Sequence, residues 1–190
     1  DKITKVHCLC YNNGKEIVST TDYGEIRELF EEEGIIWLGH NVTKFDIPAL
    51  KKIVGIKEPE WLVDTLGVSW YLYPEEKRHG LEEWGEKLGI KKPEILDWSS
   101  DNIQAILHRC SEDVKINTAL WNKFERTLNV MYAADKKEEF LRYLHFKLDC
   151  VREQEDIGLK LNIDRCKESL EKWKIEKEQK IRELEEVMPQ

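Results

Sequence analysis

Ile35-Ile36-Trp37-Leu38-Gly39-His40-Asn41-Val42-Thr43-Lys44-Phe45-Asp46-Ile47-Pro48 is the run that decides the fold. Four apolar residues bounded by glycines read as a short buried strand of the kind found inside α/β sheets. The residues after Phe45 read as a helix, with Ile47, Leu50, Ile53 and Val54 on one face and Pro48 in the first turn, where a missing N–H costs nothing. A strand that hands over to a helix projects side chains above the carboxyl end of its sheet, where α/β folds place ligands. Asp46 stands at that junction and is a first candidate for holding a divalent cation. Its plain alternative is an aspartate that complements the helix dipole.

Upstream, residues 3–11 (ITKVHCLCY) are apolar and β-branched enough for a strand. Asn12-Asn13-Gly14 supplies a turn into a second short strand over 16–20, making a hairpin. Asp22 caps a helix through about Glu33, which Gly34 stops. Downstream, residues 64–73 and 81–88 are expected helices, with Asp64 as a capping residue for the first. A longer helical pattern covers residues 101 to about 126, striped by Ile103, Ile106, Leu107, Val114, Ile116, Leu120 and Trp121. Beyond a boundary between Asn129 and Asp135, Phe140, Leu144, Leu148 and Val151 repeat at helical spacing until Gly158 breaks the pattern. A short extended piece over 159–163 leads to Asp164, expected to cap a last Glu/Lys-rich helix over 165–187. The thin stripe of that helix (Leu170, Trp173, Ile181, Leu184) suggests partial burial.

The chain has 190 residues and a formal net charge of −8, enough for one domain with an appendage and without the basic balance typical of nucleic-acid binders. An acidic balance suits nucleases whose carboxylates hold metals that supply the positive field. Five cysteines in an odd, scattered set without a CxxC pair argue against a disulfide framework and a structural zinc site, and imply reduced thiols in a cytosol. No apolar run is long enough to span a bilayer, so no membrane partner is expected. Both ends look cut: Asp1 leads almost at once into the first strand, and Met188-Pro189-Gln190 follow a long helix. Most of Trp37, Trp61, Trp70, Trp84, Trp98 and Trp121 are expected to pack in the core.

The run from Asn41 to Asp46 resembles the second exonuclease motif of DnaQ-like proofreading nucleases, and His108-Arg109-Cys110-Ser111-Glu112-Asp113-Val114 resembles the third. With Ile3–Cys8, Asp46-Ile47-Pro48-Ala49-Leu50, Val63-Asp64-Thr65-Leu66, His79-Gly80-Leu81-Glu82-Glu83-Trp84-Gly85, Glu112-Asp113-Val114-Lys115 and Arg152–Asn162, these motifs stand in the order seen in replicative family A DNA polymerases of short-tailed phages. The resemblance covers nearly the whole chain. It implies an α/β, ribonuclease H-like exonuclease fold, a mixed sheet flanked by helices with its first strand missing, plus a C-terminal helical appendage. Residues 1–130 would be the 3′→5′ exonuclease domain lacking its first motif, and 131–190 the helical start of the polymerase domain.

What the resemblance implies chemically is two-metal hydrolysis of 3′-terminal nucleotides by two divalent cations, Mg²⁺ or Mn²⁺, with Asp113 on the first metal and Asp46 on the second. The two further carboxylate ligands, of the form Asp-x-Glu, are missing from this chain, and neither Asp1 nor Glu16 has the spacing to replace them. The chain alone is therefore expected to hydrolyse DNA poorly or not at all. His108, five residues before Asp113, is the candidate general base, provided the helix begins near Arg109 or later; Arg109 holds the place of a family tyrosine and is a candidate phosphate contact. His40, Asn41 and Phe45 are candidate substrate contacts. The expected partners are the single-stranded 3′ end of DNA, the polymerase domain of the same parent chain and a processivity factor, in a host cytoplasm if phage-encoded. A free-standing DNA or RNA exonuclease and a catalytically degenerate, structural exonuclease-like module are the competing expectations.

Overall fold

The structure, a computed structural model, describes residues 3–93 and 102–188. It is a mixed α/β protein in which helices predominate, and it divides into two compact units, Asp1–Glu153 and Gln154–Gln190. Asp1, Trp98 and Asp101 lie outside the described residues.

The first unit opens with the expected hairpin. Strand β1 (Leu9–Asn12) pairs antiparallel with β2 (Ile17–Thr20), from Leu9 opposite Thr20 to Asn12 opposite Ile17. The turn is fixed by side chains acting as backbone acceptors: Asn12 Oδ1 receives the Gly14 amide at 2.9 Å, and Asn13 Oδ1 receives Lys15 and Glu16 at 2.9 and 3.0 Å. Gly14 takes φ +87°, which a side chain would resist. The strand is shorter than the run of apolar residues suggested, since residues 3–8 are outside the ladder.

Helix α1 (Tyr23–Glu31) starts as expected on Asp22, whose carboxylate accepts the Gly24 and Glu25 amides. Strand β3 (Trp37–Gly39) comes next, then α2 (Asp46–Ile53), then β4 (Leu62–Asp64), which pairs parallel with β3 from Trp37 opposite Leu62 to Gly39 opposite Asp64. This is a strand–helix–strand unit whose second strand the sequence did not announce, because three residues carry too little periodicity. Among the described residues the four strands form two separate pairs, β1–β2 and β3–β4, rather than one sheet.

Helices α3 (Thr65–Leu72), α4 (Leu81–Leu88) and α5 (Ile103–Met131) complete the unit with the first part of α6 (Ala134–Ile157). The long helix α5 organises the packing. Ile116, Leu120, Phe124 and Leu128, four residues apart, are all fully buried, against Val63, Val68, Trp84 and Leu141. Each such side chain stabilises the fold by about 1.5–3 kcal/mol over an exposed position. A second cluster joins Ile26 and Phe30 of α1 to Ile47, Leu50, Val54, Ile56 and Leu62, with the Phe30 and Trp37 rings stacked at 4.0 Å.

A helix break lies between Met131 and Ala134, where a domain boundary was expected, but the compact unit does not end there and runs on to Glu153. The reason is packing: Leu141 is buried, Phe140 and Leu144 lie against the same core, and a Cβ on Gly67 would come within 2.8 Å of Leu148. Of the described tryptophans singled out, Trp84 is fully buried, while Trp70 is half exposed. In the second unit, α7 (Ile163–Val187) is capped by Asn162, which accepts the Arg165 amide at 3.0 Å, and not by Asp164. No residue of α7 is buried, so its apolar stripe is uncovered. Among the described residues no helix is long and apolar enough to cross a membrane.

Candidate functional site

The loop from β3 to α2 is held by an aspartate from the neighbouring strand. Asp64, the last residue of β4 and buried, accepts the Asn41 amide at 2.8 Å and the Leu66 amide at 3.0 Å on Oδ1, and the Thr43 amide at 3.1 Å on Oδ2. Its carboxylate therefore caps α3, as the sequence suggested, and also pins the 40–43 turn, which the sequence did not reveal. The turn is tight: Asn41 adopts φ +60°, and a Cβ on Gly39 would meet Val42 Cβ at 2.7 Å. Asparagine tolerates the left-handed region better than most residues, so an asparagine and a glycine at these positions let the chain reverse.

The turn delivers three candidate groups. Phe45 presents an exposed ring at the N-cap of α2 and Asp46 opens that helix. His40 places Nδ1 2.9 Å from Thr65 Oγ1, whose hydroxyl is 2.7 Å from Asn117 Oδ1. Nε2 is buried and makes no close hydrogen bond, and the pairing with Thr65 leaves either ring nitrogen able to carry the proton. Burial lowers the His40 pKa, against the opposing influence of Asp64 and Asp113, so the ring is neutral at physiological pH.

Asp46 is exposed over part of its surface, yet protein crowds its carboxyl closely. Its pKa is raised to about 6, first by desolvation and then by the negative charges of Asp64 and Asp113. Asp113, on α5, thus belongs to the same electrostatic neighbourhood as Asp46 and His40. Its Oδ1 forms an ion pair with Lys92 Nζ at 3.0 Å without good hydrogen-bond geometry, and its Oδ2 lies 3.7 Å from Arg109 Nε. Arg109 shares the face of Asp113 because the two are four residues apart.

His108 is not brought to this site. Helix α5 begins at Ile103, well before Arg109, so His108 is fixed about 140° round the helix from Asp113. Its side chain is 64 % exposed and its nearest carboxylate is Glu112 at 4.0 Å. The condition on which a base role depended is unmet.

The cysteines form a cluster that their spacing in the sequence did not foretell. Among the described residues, the set of three or more metal-ligating side chains whose donor atoms all lie within 4.8 Å of one another is Cys8, Cys10 and Cys110. Their scattering along the sequence suggested isolated thiols, but the fold collects three of them; the available signal was Cys-x-Cys on an extended run, which puts both on one side. The thiols shift one another's acidity. Cys10 is held down to about 3, chiefly by Cys110 and then Cys8, while Cys8 is pushed up to about 11 and Cys110 higher still.

No protein-family model matches the chain, and no curated protein matches it.

Proposed function

We propose that this chain carries the 3′→5′ proofreading exonuclease module of a DNA polymerase, with a ribonuclease H-like fold, acting on single-stranded 3′ ends. The observation that supports this most is the shared electrostatic neighbourhood of Asp46 and Asp113, two acidic residues 67 positions apart that come from the two motif-like stretches. Desolvation first, and then the charges of Asp64 and Asp113, raise the Asp46 carboxyl to about 6, and a divalent cation shared with Asp113 would favour its ionised form.

The donor set fits such a cation in charge and falls short in number. Asp46 and Asp113 would be its ligands; the Asp64 oxygens are committed to backbone amides, and a complete two-metal centre needs further carboxylates. Divalent cations there would activate water and stabilise the leaving 3′ oxygen. The chain's own residues would bind and orient: the Asn41 side-chain amide would contact a phosphate or sugar, the exposed Phe45 ring offers a surface for the terminal base, and Lys92 and Arg109, which pair with Asp113, would be within reach of a phosphate held there. His40, whose pKa burial lowers, suits a water-mediated contact better than a charged one.

A second reading, a degenerate module retained as scaffold, is favoured by the Lys92–Asp113 ion pair, which already neutralises the carboxylate. The test separates the two. In nuclear magnetic resonance spectra of the isotope-labelled chain, Mn²⁺ should broaden amide signals of residues 40–46 and 109–113, and Mg²⁺ should be required for thymidine 5′-monophosphate to shift Asn41 and Phe45. Asp46→Asn with Asp113→Asn should abolish both effects. Broadening elsewhere, or none, leaves the scaffold reading.

A further inference from the structure

Cys8 and Cys10 flank Leu9, the first residue of β1, and their alternation along an extended chain puts both sulfurs on one side. Cys110 comes from α5, the helix packed across β1. The three sulfurs lie within 4.8 Å of one another and none is in a disulfide. Cys10 is buried and the other two are partly so. The Ser111 hydroxyl donates toward the Cys10 sulfur, with its oxygen 3.8 Å away.

The Cys10 thiol also meets the Leu107 carbonyl at 3.9 Å, a contact that binding of a cation would replace. Thiolates bound to one tetrahedral ion, with metal–sulfur bonds of about 2.3 Å, stand roughly 3.8 Å apart, inside the spread seen here. A disulfide between any two would leave the third thiol unpaired. The groups acting most strongly on these sulfurs are one another, the Ser111 hydroxyl and burial, with no lysine or arginine prominent among them. Soft sulfur donors select d¹⁰ ions over the hard cations that carboxylates prefer.

We propose that Cys8, Cys10 and Cys110 bind one Zn²⁺ ion through three thiolates, with water in the fourth position, as a clip that fastens the hairpin to α5. Binding displaces up to three thiol protons to solvent and involves no change of oxidation state. The clip sits one helical turn before Asp113 on α5, so the ion fixes the helix against β1 at the point where the candidate catalytic face begins. It is separate from the carboxylate neighbourhood and does not depend on the nuclease proposal.

The test uses the full chain, reduced and freed of metal under anaerobic conditions. Co²⁺ should bind to saturation at one ion per chain with an intense thiolate-to-cobalt charge-transfer band and the visible spectrum of tetrahedral coordination, and Zn²⁺ should displace it. Zn²⁺ should slow alkylation of Cys8, Cys10 and Cys110 by roughly ten-fold or more, because a metal-held thiolate is no longer a free nucleophile. Cys150 and Cys166, exposed on α6 and α7, should react at an unchanged rate. Cys150→Ser with Cys166→Ser should keep the cobalt spectrum, and Cys8→Ser or Cys110→Ser should lose it. Should those variants fail to fold, the alkylation footprint of the unaltered chain decides alone. Equal protection of all five cysteines, protection of none, or a cobalt spectrum without the charge-transfer band overturns the site.

Discussion

Asp64 and Asn41 are joined across 23 residues by a 2.8 Å hydrogen bond from the Asn41 amide to the Asp64 carboxylate. The bond ties the end of β4 to the turn after β3, and the same carboxylate holds Thr43 and the first turn of α3. Replacing Asp64 by alanine strands three backbone donors, two of them in a turn with a left-handed residue. Asp64→Ala should cost about 3 kcal/mol of unfolding free energy, and Asp64→Asn, which keeps an acceptor on one side, about half of that. Urea unfolding followed by tryptophan fluorescence measures both; a loss below about 0.5 kcal/mol for alanine would show the turn holds itself.

The raised pKa of Asp46 has a signature in stability against pH. The folded carboxyl titrates near 6 and its ordinary value is 3.8, so the folded state holds the proton more tightly. Stability from this group is complete below 3.8 and is lost as pH rises through about 6. Asp46→Asn removes the charge and should stabilise the chain at pH 7.5 by about 1 kcal/mol, a figure reduced for solvent screening at an exposed residue, with little effect at pH 3.5. Thermal unfolding at the two pH values checks the difference between them, and an equal effect at both refutes the electrostatic origin.

Lys92 competes with any cation for Asp113. Lys92→Met removes the competitor while keeping an unbranched side chain, and should tighten Mn²⁺ binding by roughly ten-fold under low-salt conditions. Calorimetric titration reads the change. Unaltered affinity would mean that Asp113 is not a ligand.

Ser69 is the hub of a buried polar chain: its hydroxyl oxygen accepts the Trp84 Nε1 proton at 3.0 Å and lies 2.7 Å from His79 Nδ1. Ser69→Ala leaves the indole donor of the fully buried Trp84 unmatched and should destabilise by about 1–3 kcal/mol. Equilibrium denaturation checks the loss, and the near-ultraviolet circular dichroism, to which the fixed Trp84 ring contributes, should change with it.

The helices were legible because their apolar stripes and caps are local: Asp22 and Asp64 cap where the sequence put them, and Ile116 and Leu120 face inward at the expected spacing. The hairpin was legible from Asn13 and Gly14. What stayed hidden is non-local. Nothing in residues 62–64 announced a strand, since β4 owes its conformation to pairing with β3. Lys92 could not be assigned to Asp113, nor Cys110 to Cys8 and Cys10, because those approaches depend on how α5 lies over the hairpin and loop. His108 misled for a related reason: a motif spacing does not say where a helix starts.

The place of α5 in the chain also bears on how the protein is made. The first core contacts of Val63, Val68 and Trp84 are completed by residues 116 to 128, which leave the ribosome after them. Until those later residues emerge, the early segments expose apolar surface with no covering helix, a state in which nascent chains are vulnerable to aggregation and dependent on chaperones. A ribosome stalled before Leu128 would therefore present a sticky, protease-sensitive intermediate, whereas release of the full helix would close it in one step.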